Sequence, residues 1–274
     1  MRLSRNPILG IIVLGILLAG SITLALFAFP GKPPKPEHQN FRIDSKVFAS
    51  PDSQSTGQTT TLFFNGVVYN FASGPEEITI FDPAGGRFVL LNPAHKIKTI
   101  LSTSDLMERS NQLKAWCAKQ DDPFLRFAAN PQFEERFNHA SGELILGDPV
   151  MTYRIKTVGV NEELILRQYQ AFSDGFARLS VMPGSIKIPP FPRIQVNSAL
   201  FRRHRIPEQV DLEIPAQRSL GGVAISMRSQ HTMVWRLDEP DLEKIRQAQR
   251  YEQSFQSVSF RQFHNPSKVE DPSR

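Results

Sequence analysis

Residues Ile78–Ile100, ITIFDPAGGRFVLLNPAHKIKTI, hold three β-rich runs separated by two turn signals, Pro83-Ala-Gly-Gly86 and Asn92-Pro93. Ile, Phe, Val and Leu at this density suit a pleated, half-buried surface, and Gly and Pro between such runs reverse the chain. The spacing predicts strands over Ile78–Phe81, Arg87–Leu91 and Ile97–Leu101, paired as an antiparallel meander. Upstream, LFFNGVVYNF over Leu62–Phe71 is equally β-rich. Asn65-Gly66 inside it is either the turn of a two-residue hairpin or a bulge in one continuous strand.

Downstream the period changes. Ser102–Asp105 supplies capping side chains, and Leu106, Leu113, Trp116 and Cys117 recur on one face of a helix ending near Gln120. Asp122-Pro123 matches an N-cap followed by proline at the first helical position, opening a short helix that Pro131 ends. Phe133–Asn138 and Glu143–Leu146 read as a hairpin across His-Ala-Ser-Gly. In the strand Met151–Thr157, Met151, Tyr153 and Ile155 alternate with Thr152, Arg154 and Lys156, so one face is buried and one is wet. Ile165, Tyr169, Phe172, Phe176 and Leu179 then step at helical spacing. Pro189-Pro-Phe-Pro192, read as a rigid connector, leads into a helix ending at Phe201-Arg-Arg-His-Arg205. Strands return over Gln209–Ile214 and Val223–Leu237, Asp238 starts a helix, and Val258–Phe263 reads as a closing strand. Strands and helices thus come in blocks. That order predicts an α+β fold with a large antiparallel sheet and helices packed on one face, and argues against a doubly wound parallel sheet.

The start of the chain has a different character. Ile8–Phe29 is a run of 22 uncharged, mostly apolar residues, about 33 Å as a helix against a hydrocarbon core of about 30 Å. It is expected to be a transmembrane signal-anchor after a cytoplasmic leader over residues 1–7. The competing reading is a cleaved signal peptide and a secreted domain. Against cleavage stand the length of the run and Leu26 at the position where a small residue is expected. Arg2 and Arg5 keep the N-terminus on the cytoplasmic side, so the rest is expected to be extracytoplasmic, in the periplasm, on a single-pass anchor. Residues 30–59, which include four prolines between Pro30 and Pro36, are expected to be a Pro-rich and polar linker. The α+β domain is expected over 60–264 and a polar tail over 265–274.

Chemistry-bearing motifs are scarce. The sequence contains no nucleophile elbow, phosphate-binding glycine loop, HExxH or dinucleotide fingerprint. Its six histidines, 38, 95, 139, 204, 231 and 264, are isolated from one another, without the spacing by which a helix presents two metal ligands. No catalytic residue, cofactor or metal site is therefore assigned. His231 shares a strand face with Met227, Met233 and Trp235 and reads as a satisfied core histidine, while Arg228 on the other face is expected to be solvated. Glu76-Glu77 and Glu134-Glu135 read as solvated turn edges, because neighbouring strand residues point to opposite sides. The lone Cys117 excludes an intramolecular disulfide and reads as a buried structural thiol. A net charge of +5 is spread along the chain, which does not suit nucleic-acid binding. Its densest cluster, Arg202, Arg203 and Arg205, has two readings: a solvated helix end, or a contact for anionic lipid or an acidic envelope protein.

The hairpins ITIFDPAGGRFVLL and FEERFNHASGELILGDPVMTYRIKTV, in a chain expected to be exported, resemble the periplasmic lipoprotein-carrier half-barrels and related lipoprotein-sorting domains over residues 60–237. The chain departs from that family in having no amphipathic helix before its first strand and extra helical segments over 103–130. The resemblance implies a hydrophobic cavity between sheet and helices that could take a lipid or acyl chain, and it transfers no functional residue. The functional expectation is a membrane-anchored binding or scaffolding protein without catalysis. The alternatives are an envelope hydrolase assembled from dispersed residues and a structural subunit of an envelope complex.

Overall fold

Phe41–Phe48 (β1) lies near the middle of a twelve-stranded sheet, antiparallel to Ser55–Phe64 (β2) on one side and to Ile225–Val234 (β11) on the other. This is a computed structural model. It describes residues 39–49, 54–74, 77–182, 188–219 and 221–266, all within the unit Pro36–Arg274. From β2 the chain meanders through Val67–Ala72 (β3), Glu77–Asp82 (β4), Arg87–Asn92 (β5) and Ile97–Ser102 (β6). Glu134–Asn138 (β7), Glu143–Gly147 (β8), Thr152–Gly159 (β9) and Arg205–Ile214 (β10) form a second meander that β11 completes. The two-residue strand Gln256–Ser257 (β12) runs parallel to β6, so the order is β12-β6-β5-β4-β3-β2-β1-β11-β10-β9-β8-β7. The sheet is open, with β12 and β7 at its edges.

The helices are Thr103–Ala118 (α1), Pro123–Ala129 (α2), Glu163–Arg178 (α3), Phe191–Arg202 (α4), Glu239–Ser254 (α5) and Phe260–His264 (α6). Caps fix their starts where the sequence predicts. Ser102 accepts from the Ser104 N–H, Asp122 from the Leu125 N–H, and Asp238 forms a capping box with Asp241.

A row of directly opposed residues crosses six strands on one face: Phe41, Phe63, Val68, Phe81, Phe88 and Leu101. It packs under Leu106 of α1 and Ile165, Leu166, Tyr169 and Phe172 of α3. The Phe41 and Phe63 rings stack at 4.0 Å between centroids, and Phe81 and Phe88 at 4.5 Å. Farther along this face α2 and α4 cover β8, β9 and β10 through Phe124, Val196 and Leu200. On the opposite face Leu62, Tyr69, Ile80 and Val89 form a second row, and α5 covers it with Ile245 and Ala248. Both faces of β4 and β5 are therefore buried. That explains why ITIF and FVLL read as unbroken apolar runs instead of alternating ones.

Several expectations need correction. Helices lie on both faces of the sheet, since α5 opposes α1, α3 and α4. The stretch 30–59 is not linker throughout, because residues 41–48 and 55–59 are strand. Phe41 and Ile43 are buried while Arg42 and Asp44 face the other side. That extra strand also decides the Asn65-Gly66 alternative. Both residues take positive φ, 49° and 80°, as a two-residue hairpin turn requires, and β2 is long because it begins at Ser55. Val258–Phe263 is not a closing strand, and α6 occupies most of it. Trp116 does not join the buried face of α1, being 53% exposed. Residues 1–38, with the expected leader, anchor and proline run, and residues 267–274 of the tail lie outside the described residues. Among the described residues no helix is long and apolar enough to cross a membrane.

Candidate functional site

His231 is held between two hydroxyls. Its Nδ1 lies 2.8 Å from Ser45 Oγ across the β1–β11 seam, and its Nε2 lies 3.0 Å from Ser229 Oγ. Serine hydrolysis needs a histidine that takes a proton and carries the charge, oriented by a carboxylate. Here both ring nitrogens are engaged by serines. Burial, aided by the Arg193 cation, pushes the imidazole down to about 4, so the charged form is disfavoured. The trio is a neutral polar brace joining the two meanders. The other described histidines lie apart from it, and no group of three or more metal-ligating side chains converges among the described residues.

The arginine cluster is built into the fold. Arg202 and Arg203 both pair with the Glu135 carboxylate, at 2.7 and 2.8 Å. Arg203 and Arg205 lie over the Phe137 ring at 5.8 and 5.2 Å from its centroid. Glu135 is thus a partnered anion and not a solvated turn edge, and the cluster ties the end of α4 to β7. Arg228 is likewise paired, with Asp211 at 2.6 Å, contrary to the solvated side chain expected.

Arg202 also reaches a recess that the sequence did not reveal. About 510 Å³ of space lies between α1, the chain after α2, and α4, with Lys114, Arg178 and Arg202 in its walls. Ser110 and Asn111 of α1, Gln132, and Gln195 and Ser198 of α4 supply neutral hydrogen-bonding groups. None of its described lining residues carries a carboxylate. Lys114 is held over the Phe191 ring, 5.9 Å from its centroid. Arg178, the last residue of α3, has a buried Nε without a hydrogen-bond partner among the described residues. A buried donor without a protein partner is costly, so an acceptor able to reach it would be held, although the half-buried guanidinium also feels the Asp174 carboxylate.

The ground behind Arg178 is braced. Asn197 donates to Asp174 at 2.7 Å, joining α4 to α3, and Arg193 reaches the Tyr169 hydroxyl at 3.5 Å. Burial raises the Asp174 carboxyl, while the Asn197 hydrogen bond and the Arg178 and Arg193 cations act to lower it. At Met107 and Arg178 the recess adjoins an apolar slot of about 190 Å³, walled by Phe81, Phe88 and Leu106.

A larger groove, about 830 Å³, runs along α5 on the other face. Thr60, Gln230 and Thr232 floor it, and Lys244, Gln247 and Tyr251 form one wall. Its charges are of both signs, and Asp44 is already committed to Arg42 at 3.1 Å and Thr60 at 3.0 Å. It lacks the one-signed lining of the Arg178 recess. The chain matches no protein-family model and no curated protein. Arg178 and Lys114 carry no sequence signal beyond being cations at or beside an amphipathic stripe, because their convergence depends on how three helices pack.

Proposed function

We propose that this chain is a membrane-anchored, extracytoplasmic binding or scaffolding protein that works without catalysis and takes an anionic group in the recess at Arg178. The carrying observation is a recess lined by Lys114, Arg178 and the Glu135-paired Arg202, in which, among the described residues, no carboxylate lines the wall and the Arg178 Nε has no hydrogen-bond partner. At about 510 Å³ the recess falls within the range of small-molecule sites. The apolar run over 8–29 and the flanking Arg2 and Arg5 support the anchor and its orientation.

The same geometry weighs against two competing readings. An acyl chain lying between the sheet and α3 would have to displace stacked phenylalanines, and the adjoining slot, at about 190 Å³, is smaller than ordinary ligand pockets. A hydrolase built on His231 would have to protonate an imidazole that its surroundings keep neutral. The anion competes instead for donors already in place.

Native mass spectrometry of the full-length chain released from its membrane tests this reading. A bound anionic species is expected in the wild type and absent from Asn111→Glu, which puts a carboxylate into the recess from an exposed position. A mass retained equally by both proteins, or found in neither, would contradict the reading.

A further inference from the structure

The neutral groups around Arg178 say more about the ligand than its charge. An inorganic anion would fill little of a recess of about 510 Å³, and the remaining walls offer hydroxyls and amides beside the apolar Met107, Pro131, Phe191 and Ile194. The Ser110 hydroxyl and the amides of Asn111 and Gln195 can donate and accept, while the Ser198 hydroxyl, which donates to the Ile194 carbonyl at 3.0 Å, is left to accept. Such groups pair with hydroxyls, which also donate and accept, whereas Lys114, Arg178 and Arg202 can only donate. Cations with amides and hydroxyls beside them match a phosphate ester carried on a short polyol.

We propose that the recess is a site for a polyol phosphate, of the glycerol phosphate class, with the phosphate on Arg178 and Lys114 and the hydroxyls on Asn111, Gln195 and Ser198. The proposal rests on the anion-binding reading above and adds the chemical class. That chemistry occurs both in soluble glycerol phosphates and in phosphatidylglycerol headgroups. The apolar slot that meets the recess at Met107 and Arg178 leaves room beside the phosphate for the start of a lipid's apolar part.

Isothermal titration of the full-length chain in phosphatidylcholine nanodiscs separates these points, with inorganic phosphate, glycerol 1-phosphate and glycerol as probes. Glycerol 1-phosphate is expected to bind at least about tenfold more tightly than inorganic phosphate, the equivalent of one or two added hydrogen bonds. Arg178→Gln should weaken both by about tenfold to a hundredfold, the effect of losing a charged hydrogen bond. Gln195→Leu should lower the affinity ratio of glycerol 1-phosphate to inorganic phosphate towards one, the readout specific to the polyol contact. Asn111→Glu, at an exposed position, should weaken both and guards against an Arg178 variant that fails to fold.

If phosphate and glycerol 1-phosphate bind equally, and both depend on Arg178, the polyol class is wrong while the anion reading stands. If neither binds, or binding ignores Arg178 and Asn111, both are wrong. Repeating the titration in discs containing phosphatidylglycerol identifies the source. A weaker apparent affinity for glycerol 1-phosphate there means that the lipid headgroup occupies the site, and an unchanged affinity means a soluble ligand.

Discussion

Phe41 and Phe63 occupy directly paired positions on β1 and β2, with ring centroids 4.0 Å apart and planes within 9° of parallel. Phe63 also meets Phe172 of α3 edge-on at 5.8 Å. Both stacked rings are almost wholly buried, at 1% and 0% exposure. The pair therefore links the strand that joins the two meanders to the helix layer above it. Phe63→Ala should cost about 4 kcal/mol, from lost apolar burial and the cavity left behind. Urea unfolding monitored by circular dichroism checks this, and a cost below about 1 kcal/mol would mean that the row is not the principal core.

Arg42 secures α5 to the opposite face. Its guanidinium reaches both oxygens of Asp241 at 3.2 Å, and Asp241 is 2% exposed while also completing the helix's capping box. Removing the cation strands a buried carboxylate, so Arg42→Met should cost about 3 kcal/mol. Hydrogen exchange should show α5 opening first in this variant. Unchanged protection across Glu239–Ser254 would refute the anchoring role.

Gly175 sets how closely α3 approaches the sheet. A Cβ there would lie 2.8 Å from Phe88 Cζ and 3.1 Å from Cε2, and Phe88 is fully buried against Phe81. Alanine gains about 1 kcal/mol of helix propensity but forces a packed ring to move, at about 1–3 kcal/mol. Gly175→Ala should therefore destabilise by about 1 kcal/mol net, read as a lower thermal midpoint. A raised midpoint would mean that the ring yields freely.

His231 gives the fold a pH dependence with a definite sign. Its folded value of about 4 lies below the ordinary 6.5, because burial and Arg193 disfavour the charged ring. The stability that this contributes is complete above 6.5 and is lost as pH falls through 6.5 towards 4, by about 3 kcal/mol in all. Asp174 acts in the opposite direction. Its raised carboxyl favours the folded state at low pH, and that contribution is lost as pH rises past its ordinary 3.8 towards the higher folded value. His231→Gln should flatten the decline between pH 6.5 and 4 in urea midpoints, and an identical slope in the variant would assign the decline to other groups.

Local signals carried most of the fold in this sequence. The Pro83–Gly86 turn, the Asp122-Pro123 and Asp238 caps and the helical stripe from Ile165 were all readable, because each depends on residues a few positions apart. Phe41–Phe48 was not. Its alternation FRIDSKVF is short and follows four prolines, and its identity as a strand comes from pairing with β11, some 190 residues away. The far side of the sheet was missed for a related reason, since a continuous apolar run such as FVLL does not say what covers each face. The arginine cluster was visible as charge, but Glu135 and Phe137, which hold it, lie more than 60 positions earlier. Arg178 was hidden most completely. What distinguishes it is a buried donor without an acceptor among the described residues, a property of three packed helices and not of any motif.

The most direct test of the account is therefore on that donor itself. In a 1H–15N spectrum of the full-length chain, the Arg178 side-chain Nε–H signal, assigned by its loss in Arg178→Lys, should shift and gain protection from solvent exchange as glycerol 1-phosphate is added. Saturation should follow the calorimetric binding curve. A ligand that binds while the Arg178 Nε–H stays where it was would contradict the account.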